Sequence, residues 1–92
     1  MAQPTNVGRK RVRFTIDAEP DSQVYVAGTF NDWNQTKNKL TCKNGVYTAT
    51  LLLPPGRYEY KFIVNDVWCC DPECAEWTPN GIGSLNSVIT VV

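Results

Sequence analysis

The chain has 92 residues, nine basic and nine acidic side chains, 42% hydrophobic residues and no histidine, so its formal charge at pH 7 is zero. A chain this short buries about 60–65% of the surface its unfolded form exposes, which allows one modest core and argues against a deep catalytic cleft. Neutrality removes a general attraction to nucleic acid or anionic membrane. No apolar stretch approaches the roughly 18 residues that span a bilayer.

The first residues, Met1–Gly8, carry no apolar segment of the kind a secretory signal needs, so a cytoplasmic location is the expectation. In that compartment Cys42, Cys69, Cys70 and Cys74 are expected as free thiols. Residues 1–10 are expected to be a flexible lead-in, with the domain over 11–92. Arg9, Lys10, Arg11 and Arg13 resemble a basic arm, but Arg11 and Arg13 alternate with Val12 and Phe14 and read as the wet face of a strand. Val12, Phe14, Ile16 and Ala18 form its dry face, and Glu19-Pro20-Asp21-Ser22 ends it. A second strand is predicted over Gln23–Phe30, with Gly28 marking a bulge or a close approach. Asn31–Lys39 is too polar for burial and reads as a loop that holds one exposed ring, Trp33.

After the turn Lys43-Asn44-Gly45, Tyr47, Ala49, Leu51 and Leu53 alternate with polar or outward residues until Pro54-Pro55-Gly56. Tyr58, Tyr60, Phe62 and Val64 form the next inward set, with Arg57, Glu59, Lys61 and Ile63 on the opposite face. Asn65-Asp66 is a two-residue hairpin signal that returns Val67 and Trp68 along the sheet. Cys69–Asn86 has no apolar period and is expected to cross the surface as a loop, and Ser87–Val92 is the last strand. The fold class that follows is all-β, an immunoglobulin-like (E-set) β-sandwich of about seven strands.

Catalysis is not expected. Without histidine there is no Ser–His or Cys–His pair. Asp71, Glu73 and Glu76 cluster, but a single short loop is a poor place for two carboxylates that must flank one glycosidic bond. Only Cys70 and Cys74 approach a metal-ligand spacing, so free thiols are favoured over zinc and over a Cys70–Cys74 disulfide, and no cofactor is implied. What remains is aromatic surface. Trp33, Trp68 and Trp77 all fall outside the inward strand periods, and together they suggest an exposed platform. Indole planes stack on the C–H faces of pyranose rings, while groups such as Lys61 and Asn86 bond the hydroxyls at the rim.

The segment Val24-Tyr25-Val26-Ala27-Gly28-Thr29-Phe30-Asn31-Asp32-Trp33-Asn34 resembles the G-x-F-N-x-W signature of glycogen-binding domains, the carbohydrate-binding modules of family 48. The likeness continues through Leu53-Pro54-Pro55-Gly56, Tyr58-Glu59-Tyr60-Lys61-Phe62, Trp68, Asp71-Pro72 and Pro79–Val88, and covers residues 11–92. It implies a module that binds α-1,4-linked glucan without cleaving it, for targeting or regulation. Trp33 and Trp68 match the family's stacking tryptophans and Lys61 its hydroxyl-binding lysine. Ile82 matches the apolar residue that presses on the sugar chain, Ser84 a hydroxyl donor and Asn86 the asparagine that bonds a glucose unit. Trp77 departs from the pattern and is an additional candidate that either extends or blocks the mouth of the site. The implied partners are an α-glucan polysaccharide or oligosaccharide, and a glucan-metabolising enzyme or kinase-like protein. The alternatives are a protein-interaction module of the kinase β-subunit type and an accessory domain related to the debranching and branching enzymes of glycoside hydrolase family 13.

Overall fold

The structure, a computed structural model, describes residues 8–92. Its strands are β1 (Lys10–Asp17), β2 (Val24–Gly28), β3 (Thr41–Lys43), β4 (Val46–Leu53), β5 (Gly56–Val64), β6 (Val67–Cys69), β7 (Glu76–Pro79) and β8 (Leu85–Val91), and a 3-10 turn at Thr29–Asn31 follows β2. They form two antiparallel sheets, one ordered β1-β4-β3 and the other β2-β5-β8-β7, with β6 also paired to β5. The expected β-sandwich is present. Of the lead-in expected over residues 1–10, residues 1–7 lie outside the described residues, and Lys10 already pairs with Leu53.

The core follows the alternation in the sequence. Val12 and Phe14 of β1, Tyr47 and Leu53 of β4, Tyr60 and Phe62 of β5, Val24 and Val26 of β2, Leu40 and Val91 are buried together. Phe14 is central: its ring meets Tyr60 edge-on at 4.9 Å and Phe30 at 5.3 Å, an arrangement that adds to simple area burial. Arg11 and Arg13 lie opposite Leu52 and Thr50 and point away from this core, as the wet face of a strand.

β5 organises the molecule. Its residues 60–64 pair with β2, while on its other edge residues 56–60 pair with β8 and residues 62–64 with β6. Gly28 closes β2 against this strand: a Cβ there would meet Glu59 O, and Tyr60 Cβ at 2.8 Å. The glycine is a close approach, and its extended backbone needs no special conformation.

Three expectations are corrected. β3 and β7 were not anticipated, because both are short, mostly exposed and polar, and carry no alternating apolar signal. The crossing segment Cys69–Asn86 is therefore not all loop, and β8 begins at Leu85. β2 ends at Gly28, two residues before Phe30, and the polar stretch after it is not wholly exposed: Asn31 is buried. The outer face of β5 carries Arg57, Glu59, Lys61 and Ile63 as expected, and part of it is covered. Lys61 is 9% exposed and bonded to Ser84 of the loop before β8, and Ile63 is 2% exposed and paired with Trp68 of the hairpin.

Candidate functional site

A cleft of about 660 Å³ lies over the outer face of β5 and β8, walled by Trp33, Trp68, Asn80 and Ile82 and floored by Glu59, Lys61, Ser84 and Asn86. The residues expected to form a site, Trp33, Lys61, Trp68, Ile82, Ser84 and Asn86, all line it. Thr29, Glu59, Pro79 and Asn80 line it as well. Glu59 was detectable by period alone, since it stands two residues before Lys61 on the same strand face.

Trp33 is placed by the turn that follows β2. The buried Asn31 carboxamide accepts from Gly28 N at 3.0 Å and donates to Val26 O at 3.1 Å and to Asn38 Oδ1 at 2.7 Å. Three bonds offset the cost of burying an amide and close the loop on itself. The backbone then turns left-handed at two successive residues, Asp32 (φ 57°) and Trp33 (φ 58°), and Trp33 N donates to Gly28 O at 2.9 Å. The ring is half-buried, not fully exposed as the sequence suggested.

Trp68 arrives from the other side. Asn65 and Asp66 both take left-handed dihedrals, as a two-residue hairpin of the expected kind requires, and set Trp68 opposite Ile63. The two indoles lie beside each other along the cleft, with centroids 6.4 Å apart and planes inclined by 45°.

The third wall is the loop before β8. Asn80 Oδ1 accepts from Ile82 N at 3.0 Å and Ser84 N at 3.3 Å, and Asn80 N donates to Ser84 O at 3.0 Å. Gly81 (φ 84°) and Gly83 (φ 87°) supply the left-handed turns on either side of Ile82, whose side chain is 85% exposed at the tip. An apolar side chain held out by a pinned loop is available for contact.

Polar groups are arranged beneath. Lys61 Nζ donates to Ser84 Oγ at 2.8 Å and has no carboxylate within 4.0 Å among the described residues. An ammonium has three donors, so two N–H groups remain for the cleft. Asn86, 7% exposed, donates from Nδ2 to Glu59 Oε1 at 2.9 Å. Glu59 Oε2 is held by Arg57 at 3.4 Å, and Arg57 also reaches Glu76 at 3.3 Å.

Trp77 is not part of this arrangement. It pairs with Ser87, which in turn pairs with the core-facing Tyr60, so the register puts Trp77 on the sheet face opposite Lys61 and Asn86. It neither extends nor blocks the cleft, which it does not line. All four cysteines are free. Cys70 and Cys74 donate to Leu85 O and Glu76 O, each at 3.0 Å, and burial, followed by the neighbouring Cys70, raises the Cys69 thiol above its usual value.

The glycogen recognition site of AMP-activated protein kinase, as a sequence family, matches residues 12–92. The chain belongs to that family of carbohydrate-binding modules. It is 37% identical over 81 residues to the FLOURY ENDOSPERM 6 protein of Oryza sativa subsp. japonica, covering 88% of this chain and 15% of that protein. It is 41% identical over 51 residues to PTST homolog 2 of Arabidopsis thaliana, covering 55% of this chain and 10% of that one. The β-1 subunit of human 5'-AMP-activated protein kinase is 38% identical over 69 residues, covering 75% of this chain and 24% of the subunit. The module thus spans a quarter or less of these three relatives.

The cytoplasmic expectation does not stand, since both plant relatives are chloroplastic proteins. The missing apolar segment at Met1–Gly8 tests for secretion alone and carries no information about import into an organelle.

Proposed function

We propose that the domain binds α-1,4-linked glucan in the cleft over β5 and β8 and does not cleave it. Trp33 and Trp68 stack on the apolar faces of successive glucose units. Lys61, Ser84 and Asn86 bond their hydroxyls, and Ile82 presses on the chain from the loop. The observation that carries this reading is the convergence of two adjacent indoles on a floor of Lys61, Ser84 and Asn86, drawn from four separate stretches of sequence. An apolar wall with a few convergent polar groups suits a ligand with alternating C–H faces and hydroxyl edges. Among the described residues Glu59 is the one carboxylate lining the cleft, and it is engaged by Asn86 and Arg57, so none of them supplies a second acid for glycoside hydrolysis there. The module would serve to bring a larger protein to its glucan.

Amylose pull-down with reducing-sugar release measured in the same tube tests both halves. Retention without release is expected. Failure to bind overturns the glucan reading, and release of reducing ends overturns the non-catalytic one. Affinity should also be nearly independent of salt, because stacking on a neutral sugar releases no counterions.

A further inference from the structure

We infer that Glu59 is a positioning residue of this site: it fixes the Asn86 carboxamide so that its carbonyl oxygen, and not its NH2 group, is presented to the ligand. The inference rests on the glucan reading above and adds the direction of one hydrogen bond to it.

An asparagine amide can turn over with almost no change of shape, so its sense is decided by its partners. The partner here is an ionised carboxylate, which only accepts. Glu59 Oε1 stands 2.9 Å from Asn86 Nδ2, and the reversed amide would set two acceptor oxygens against each other. The second oxygen of Glu59 lies 3.4 Å from Arg57, which also reaches Glu76 at 3.3 Å, and this pairing favours the same placement of the carboxylate. Asn86 is more than nine-tenths buried, yet its Oδ1 meets no donor among the described residues. A nearly buried acceptor without a partner, at the floor of an open cleft, is left for the ligand.

The site then has a sense. Lys61 can only donate and Asn86 is held to accept, so the sugar edge between them must offer one hydroxyl as acceptor and another as donor. Hydroxyls do both, whereas an ether or an ester at the second position does not.

A double-mutant cycle with maltoheptaose, read by titration calorimetry, tests this. Glu59→Ala is expected to weaken binding about tenfold by freeing the amide, and Asn86→Ala by a similar factor. In the Asn86→Ala background, Glu59→Ala should then cost less than about twofold, since the group it positions is gone. Glu59→Gln keeps the volume but supplies one oxygen where two donors, Arg57 and Asn86, compete for it, so it also weakens binding. The side-chain amide resonances of Asn86 should shift in both Glu59 variants while the melting temperature stays within a few degrees of wild type. Wild-type affinity in Glu59→Gln, or multiplicative losses in the double variant, overturns the inference while leaving the glucan reading intact. A wild-type protein that ignores maltoheptaose overturns the glucan reading itself, before any variant is made.

Discussion

The Tyr60 hydroxyl donates to Asp71 Oδ2 at 2.6 Å, and this bond fastens the segment that crosses from β6 to β7 onto the core. Asp71 accepts again at Oδ1 from Glu73 N at 2.8 Å, and its own N donates to the fully buried Ser87 at 2.7 Å. Burial, and after it the bond to Asp71, raises the Tyr60 phenol above its ordinary value. Its folded value is above its unfolded one. The stability it contributes is therefore fully present below the unfolded value of about 10 and is lost as pH rises beyond it. Tyr60→Phe should cost about 1–3 kcal/mol at pH 7 by leaving one Asp71 oxygen unpartnered. Urea melts between about pH 8 and 11 should then fall less steeply for the variant than for wild type; parallel slopes contradict the assignment.

Trp33→Ala and Trp68→Ala should each weaken maltooligosaccharide binding about tenfold or more, equivalent to roughly 1–2 kcal/mol per lost stack. Calorimetric titration of folded variants checks it, and wild-type affinity in both removes the platform from the mechanism. Trp77→Ala, on the other face, should bind as wild type does.

Asn80 pins the loop that carries Ile82 and Ser84, with one side-chain oxygen accepting from both of their amides. Asn80→Ala should release the loop and cost about three- to tenfold in affinity as added ordering entropy on binding. The melting temperature should barely move, because the loop lies outside the core. The informative comparison is with Ile82→Ala: if Asn80→Ala costs nothing while Ile82→Ala costs affinity, the loop is rigid without its pin.

Gly28→Ala is expected to be among the most damaging small substitutions. The added methyl meets Glu59 O and Tyr60 Cβ, neither of which can retreat without parting β2 from β5. A loss of about 2–3 kcal/mol should appear in denaturant melts.

The four long strands could be read from the sequence because each puts apolar residues at every second position, as Val12-Phe14 and Tyr60-Phe62 do. Glu76–Pro79 gives no such signal, because an edge strand without a sheet over it has no dry face to encode. The same logic hid the burial of Lys61. Period two assigns a residue to a face, but what covers the outer face comes from Trp68 and the Asn80–Ser84 loop, far away in sequence. Glu59 was legible as a neighbour of Lys61 by spacing, whereas its bond to Asn86, 27 residues on, depends on the β5–β8 pairing.

The division of β5 between its two faces has a consequence for folding fidelity. If β5 slipped by one residue against its neighbours, Lys61 would enter the core and Phe62 would take its place in the cleft. Glu59 and Lys61 are thus a penalty on the mispaired chain, whatever they do in the native one. A variant with valine at both positions would have two apolar faces on its central strand and little to choose between them. Such a protein would lose yield to wrongly paired and aggregated forms, so the two polar side chains that line the cleft also guard the pairing of the central strand.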